Sequence, residues 1–136
     1  MRDSILITAD DFRRLKVMIR AARQIWRHGT YVNALERELR RANIIPSSEV
    51  PGDLVTMNSR VRLCDAQSGG RDLLTLVYPH TAGQYPGFVS VLSGLGTAIL
   101  GTQVGDVLRA RTAEGLRFFQ VERILYQPEA EGDTHL

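Results

Sequence analysis

Phe12, Leu15, Ile19, Ala22 and Trp26 recur at spacings that alternate between three and four, and after His28-Gly29 the residues Val32, Leu35, Leu39 and Ala42 repeat the pattern. This spacing marks helices that bury a narrow apolar seam. Thr8 stands at the N-cap position, with Asp10 and Asp11 in the first turn where the helix dipole favours negative charge. Two seams joined by a short turn predict an antiparallel helical hairpin, at most about 30 Å long. Neither helix is stable alone in water, so each must bury its seam against the other or against the rest of the chain. Pro46 ends the pattern, and the segment NIIPSSEVPGD carries no periodicity. Beyond it the period changes to two. LVTM, RVRLCD, DLLTLVYP and FVSVL read as strands, and DVLRART with LRFFQVERILY reads as a hairpin across AEG. LGTAIL is the one helical candidate in this second part, and the polar tail QPEAEGDTHL is expected to fray. The change of period divides an α+β chain into a helical hairpin at 1–45, a linker at 46–52 and a sheet domain at 53–136.

Charge is as unevenly distributed as pattern. Between Arg13 and Arg41 nine basic residues face only Glu36 and Glu38, whereas from Ala42 onward seven arginines face ten carboxylates. A basic head therefore precedes a mildly acidic body. No apolar run approaches the ~18 residues that a membrane span needs, and MRDSILITADDF has the wrong pattern for a secretory signal or a lipid anchor. A cytoplasmic protein with no membrane association is expected. Cys64 is the single cysteine, which excludes an internal disulfide and a cysteine-based metal site.

The segment SVLSGLGTAILGTQVG (90–105) tests whether the chain cradles a phosphate. Gly96 and Gly101 have the spacing of a phosphate-binding loop, but Thr102 and Gln103 stand where its lysine and hydroxyl residue belong. A dinucleotide fingerprint fails too, because Ile99 occupies the third glycine position after Gly94 and Gly96. The glycines are expected to punctuate a short buried helix, with Gly101 as its C-cap. His28, His80 and His135 are too dispersed to share a metal or a proton, and the carboxylate pairs are explained by capping and by neighbouring arginines. No catalytic, cofactor-binding or metal-binding residue is expected. Arginines with Trp26 and Tyr31 near the hairpin tip leave nucleic-acid binding open as an alternative.

DLVTMNSRV (53–61), TLVYP (75–79), SVLSGLGTAILGTQVGD (90–106) and ILYQPEAEGD (124–133), behind a short helical hairpin, together resemble the Rnk family, the regulators of nucleoside diphosphate kinase. That family is similar in turn to the transcript-cleavage factors GreA and GreB. The resemblance implies an N-terminal antiparallel two-helix coiled coil, shorter than that of the Gre factors, and an FKBP-like antiparallel sheet domain with one short helix. It implies a non-enzymatic regulator that docks on the rim of the RNA polymerase secondary channel and acts on nucleoside diphosphate kinase levels, while the closed two-helix seam favours a monomer. Ser93, Gly94, Leu95 and Gly96 match a rim-gripping loop that reads S-P-[LIV]-G in Gre factors, and Gly94 in place of proline leaves the loop less pre-set. Gre factors carry tip carboxylates that help hold a catalytic magnesium ion. Here no carboxylate lies between Asp11 and Glu36, and the tip is marked instead by Arg23, Trp26, Arg27, His28 and Tyr31. Binding without stimulation of transcript cleavage is expected. An FKBP-like body also raises peptidyl-prolyl isomerase activity, for which Tyr78, Tyr85, Phe88, Phe118, Phe119 and Tyr126 would supply a pocket.

Overall fold

The computed structural model describes residues 5–25 and 29–133. A short strand β1 (Leu6–Thr8) leads into α1 (Ala9–Ile25), and α2 (Thr30–Arg40) returns to β2 (Asn43–Ile45). The Thr8 hydroxyl accepts the Asp11 N–H at 3.0 Å, so Thr8 caps α1 as its position predicts. Leu15, Ile19 and Ala22 of α1 are buried with Val32, Leu35 and Leu39 of α2, which is the expected seam. Arg23, near the end of α1, bonds Asn33 in the first turn of α2 and Glu36 beyond its middle, so the helices run side by side in opposite directions. Trp26 lies outside the described residues.

The two ends of the hairpin are tied together. β1 and β2 pair in parallel, Leu6 opposite Asn43 and Thr8 opposite Ile45, so NII belongs to a two-stranded sheet and not to the aperiodic segment the sequence suggested. The five-stranded sheet follows: β3 (Arg60–Asp65), β4 (Arg71–Val77), β5 (Phe88–Ser90), β6 (Val107–Thr112) and β7 (Gly115–Tyr126), in the order β5-β4-β3-β7-β6. Its pairs are antiparallel except β4 with β5. That pair departs from the expected antiparallel sheet because residues 78–87 form a crossover with a 3₁₀ turn at Pro79–Thr81, not a hairpin. Two register shifts between β3 and β7 bend the long strand β7.

LVTM is not a strand. Leu54 forms one isolated bridge to Gln103, and Leu54, Val55, Thr56 and Met57 are all buried. The expected short helix is α3 (Gly94–Ile99). Gly101, at φ +76°, ends it in the left-handed conformation. The tail does not fray as far as Asp133: Pro128 opens a further turn, α4 (Pro128–Glu131), and Gly132 closes it. One hydrophobic core runs through the whole assembly, from Ile7, Leu15 and Leu35 to Val61, Leu76, Ile99 and Val121. Each large side chain buried there contributes about 1.5–3 kcal/mol. The hairpin is thus packed onto the sheet domain as well as onto itself. Among the described residues no helix is long and apolar enough to cross a membrane.

Candidate partner interface

The loop before α3 is built by two backbone approaches that only glycine permits. A Cβ on Gly96 would lie 2.0 Å from the Ser90 carbonyl oxygen, and one on Gly94 would lie 2.3 Å from that of Arg111. Ser93 locks the turn: its hydroxyl donates to Ser90 O at 2.7 Å and accepts Gly96 N–H at 2.9 Å. Thr97 adds a bond to Val91 O at 2.7 Å. The glycines are therefore punctuation in a stricter sense than a flexible entry, since they set α3 against the end of β5 and the edge of β6. Gly96 is buried, whereas Ser93, Gly94 and Leu95 are half-exposed, with Leu95 resting on the core. A partner meeting this loop would touch those three.

The described residues of the proposed tip, Arg23 and Tyr31, lie toward the end of α2 away from this loop. Arg23 is committed to Asn33 and Glu36, and Tyr31 is exposed. Trp26, Arg27 and His28 lie outside the described residues. Other hairpin arginines are also engaged: Arg13 with Asp10, Arg40 with Glu36, and Arg41 with Glu38. The base of the hairpin, at Glu38 and Arg41, borders a cleft shared with Thr97 and Ala98 of α3, so loop and tip are separated by the length of α2, about 16 Å. The six aromatics do not gather around a pocket. Tyr78 and Phe119 are core residues, while Tyr85 and Phe118 are exposed on different elements.

Asp11 is the residue that sequence reasoning undervalued. Its backbone N–H meets the Thr8 cap, but its carboxylate turns inward and accepts the Met57 N–H at 3.0 Å. The DLVTM segment that receives it is itself held from the far end of the chain. Thr56 donates to Glu129 at 2.7 Å and also meets Ser59, while Gln127 donates to the carbonyls of Pro51 and Leu54. Arg14 sits 4.8 Å over the Tyr78 ring beside this cluster. Burial pushes the Asp11 carboxyl up to about 6, with the Glu129 charge adding to the rise and Met57, Arg14 and Thr8 opposing it. Burial likewise raises the Tyr78 hydroxyl above its ordinary range. No sequence signal could have found this joint, since Asp11 and Met57 are 46 residues apart and a first-turn aspartate already has a local explanation.

Hairpin, curved sheet and glycine-set loop are the architecture of a known class. A family model described as transcription elongation factor, GreA/GreB, C-term matches residues 50–126. The GreA/GreB elongation factor structure from Nitrosomonas europaea superposes with a TM-score of 0.75 at 31% identity, over 90% of this chain and all of that one. GreA factor homolog 1 of Thermus thermophilus superposes more loosely, with a TM-score of 0.51 at 26% identity, over 90% of this chain and 99% of its own. GreA of Rhodospirillum rubrum is 30% identical over 70% of this chain and 60% of its own length. The regulator of nucleoside diphosphate kinase of Escherichia coli K12 is 34% identical over 97% of this chain and 96% of its own. The chain therefore belongs to the GreA/GreB C-terminal family and, within it, to the regulators of nucleoside diphosphate kinase. It is a regulator of the transcription-elongation-factor type.

Proposed function

We propose that this protein is a non-enzymatic, cytoplasmic regulator that binds RNA polymerase at the secondary-channel rim and competes there with Gre-type factors. It does not stimulate transcript cleavage. The full-length match to the regulators of nucleoside diphosphate kinase, together with the Gre-like fold, supports the partner. The fate of the carboxylates supports the absence of cleavage. A magnesium ion needs free carboxylate oxygens, and between Asp11 and Glu36 there are none. Asp11 is buried against Met57, and Glu36 is neutralised by Arg23 at 2.7 Å and Arg40 at 3.3 Å. Neither flanking carboxylate is left to reach a metal. The regulation of nucleoside diphosphate kinase levels would follow as a consequence of transcription.

The docking element in this reading is the half-exposed surface of Ser93, Gly94 and Leu95. Ser93→Asp retains an acceptor for the Gly96 N–H and so keeps the helix cap, gives up the hydroxyl's donation to Ser90 O, and places a charge where a small neutral surface docks. Retention on immobilised core polymerase is expected to fall at least tenfold, roughly the loss of one central contact, with the far-UV circular dichroism spectrum unchanged. Unaltered retention of a folded Ser93→Asp protein would remove the loop from the interface, and no retention of the parent at micromolar concentration would remove the polymerase itself.

A further inference from the structure

The arginines of the body are not scattered. Seven follow Ala42, and six of them, Arg60, Arg62, Arg71, Arg109, Arg111 and Arg123, share one face of the five-stranded sheet. The register fixes this, because residues directly opposite in a ladder project to the same side. Arg62 faces Leu73 on one side and Arg123 on the other, Cys64 faces Arg71 and Gln120, Arg109 faces Phe118, and Arg111 faces Leu116. The seventh, Arg117, lies on the opposite face against the buried Asp65. Of the ten carboxylates in the same stretch, Glu122 joins the arginine face, where it bonds Arg62 at 2.6 Å and Arg71 at 2.8 Å, and Asp133 reaches its edge by accepting the hydroxyl of Tyr126, the ladder partner of Arg60. Arg60, Arg109, Arg111 and Arg123 are exposed and have no carboxylate partner among the described residues.

Such an arrangement opposes folding. Arg62 and Arg123 are like charges directly opposite each other in the ladder, which is destabilising. An acidic body has collected six of its seven arginines on one face, five of them exposed. Apolar side chains are interleaved with that charge: Leu73, Leu116 and Phe118 are 47%, 50% and 38% exposed, each beside an arginine in register. A helical protein partner would present a continuous apolar stripe with its charges set to the flanks. A single nucleic-acid strand instead alternates anion and flat base, which matches cation beside apolar surface in three residue pairs on two ladders, β3–β4 and β6–β7.

We propose that the outer face of the five-stranded sheet binds single-stranded nucleic acid, with Arg60, Arg109, Arg111 and Arg123 on phosphates and Phe118 under a base. This moves the nucleic-acid reading from the helical hairpin, where Arg13, Arg23, Arg40 and Arg41 are engaged with carboxylates, to the sheet, where four arginines without a carboxylate partner share one face with exposed apolar side chains.

The test is fluorescence anisotropy of a labelled oligouridylate with the full chain across a salt series, in the absence of polymerase, so that its outcome is independent of the docking reading above. Four phosphate contacts to a single strand give a slope of log affinity against log salt of about −3. Arg109→Ala with Arg111→Ala is expected to reduce that slope by about 1.4. Phe118→Ala is expected to weaken binding about tenfold without changing the slope. Arg20→Ala with Arg37→Ala, on the hairpin, is expected to leave both unchanged. Absence of binding at low ionic strength would overturn the proposal. So would loss of binding in the hairpin variant with retention in the sheet variants, or equal binding of a labelled oligoglutamate, which would make the face a site for an acidic polypeptide.

Discussion

Gly96→Ala is expected to destabilise the protein by about 3 kcal/mol, the upper end of what overpacking costs, and to lower its melting temperature by roughly 10 °C. The added methyl would lie 2.0 Å from Ser90 O, 2.8 Å from Ser90 C and 2.9 Å from Val91 Cα. All three are backbone atoms at the end of β5, and Ser93 clamps that end to the first turn of α3 through both of its hydroxyl bonds. Relief requires α3 to withdraw from the sheet, which loosens Ile99 and Leu100, both buried in the core. Gly52→Ala and Gly83→Ala are the controls, because a Cβ at either site meets nothing within 4 Å and neither has positive φ. Both are expected to stay within ~0.5 kcal/mol of the parent or gain slightly from a less flexible unfolded chain. Urea denaturation separates these outcomes, and a Gly96→Ala midpoint equal to the parent's would mean that α3 is not seated as closely as described.

Stability is expected to rise as the pH is lowered from 7 to 5, through Asp11. Its folded-state value of about 6 lies above its ordinary 3.8, so the native state takes up the proton first. The contribution of a group shifted in this direction is fully present below the unfolded value and is lost as the pH rises through the folded one. A shift of about two units corresponds to roughly 3 kcal/mol withheld at pH 7. Asp65 and Glu122 act with the opposite sign. Asp65 is held below its ordinary value by the Gln67 and Ser68 N–H groups, and Glu122 by Arg71, so what they contribute is lost only at more acid pH. Asp11→Asn keeps an acceptor for the Met57 N–H without the buried charge, and is expected to match or exceed the parent at pH 7 while flattening the profile between pH 4 and 6. Asp11→Ala strands that N–H and is expected to cost about 1–3 kcal/mol. A parent profile that is flat between pH 4 and 7, or an Asp11→Asn profile that keeps the slope, would contradict this account of the joint.

How much of this was legible in the sequence depended on how local each signal was. The α1–α2 seam and the strands β3, β4, β6 and β7 announce themselves because each buries one face and the periodicity records it. Gly101 as the cap of α3 is local in the same way. The signals for α4 were also present, proline at its first position and glycine past its end, but an acidic composition outweighed them. LVTM misled because a segment buried on both sides has no face to alternate with. Its polar atoms are satisfied by Asp11, Ser59 and Glu129, partners up to 73 residues distant. β2 is three residues paired to a strand 37 positions earlier, too short to carry a pattern. At the candidate interface, residue types could mark Ser93–Gly96 as a loop but could not say that Gly96 is interior. Charge counts could mark the hairpin as basic but could not reveal that Arg13, Arg23, Arg40 and Arg41 are engaged with carboxylates while Arg60, Arg109, Arg111 and Arg123 of the sheet are not.

The most direct test of the central claim is a transcript-cleavage assay on a backtracked elongation complex, run with this protein alone and then titrated into a reaction driven by GreA. A regulator that occupies the rim with no carboxylate to offer the active site is expected to leave the RNA intact by itself and to suppress GreA-dependent shortening as its concentration rises. Shortening of the RNA by this protein alone, or undiminished GreA activity at saturating concentrations of it, would contradict the account.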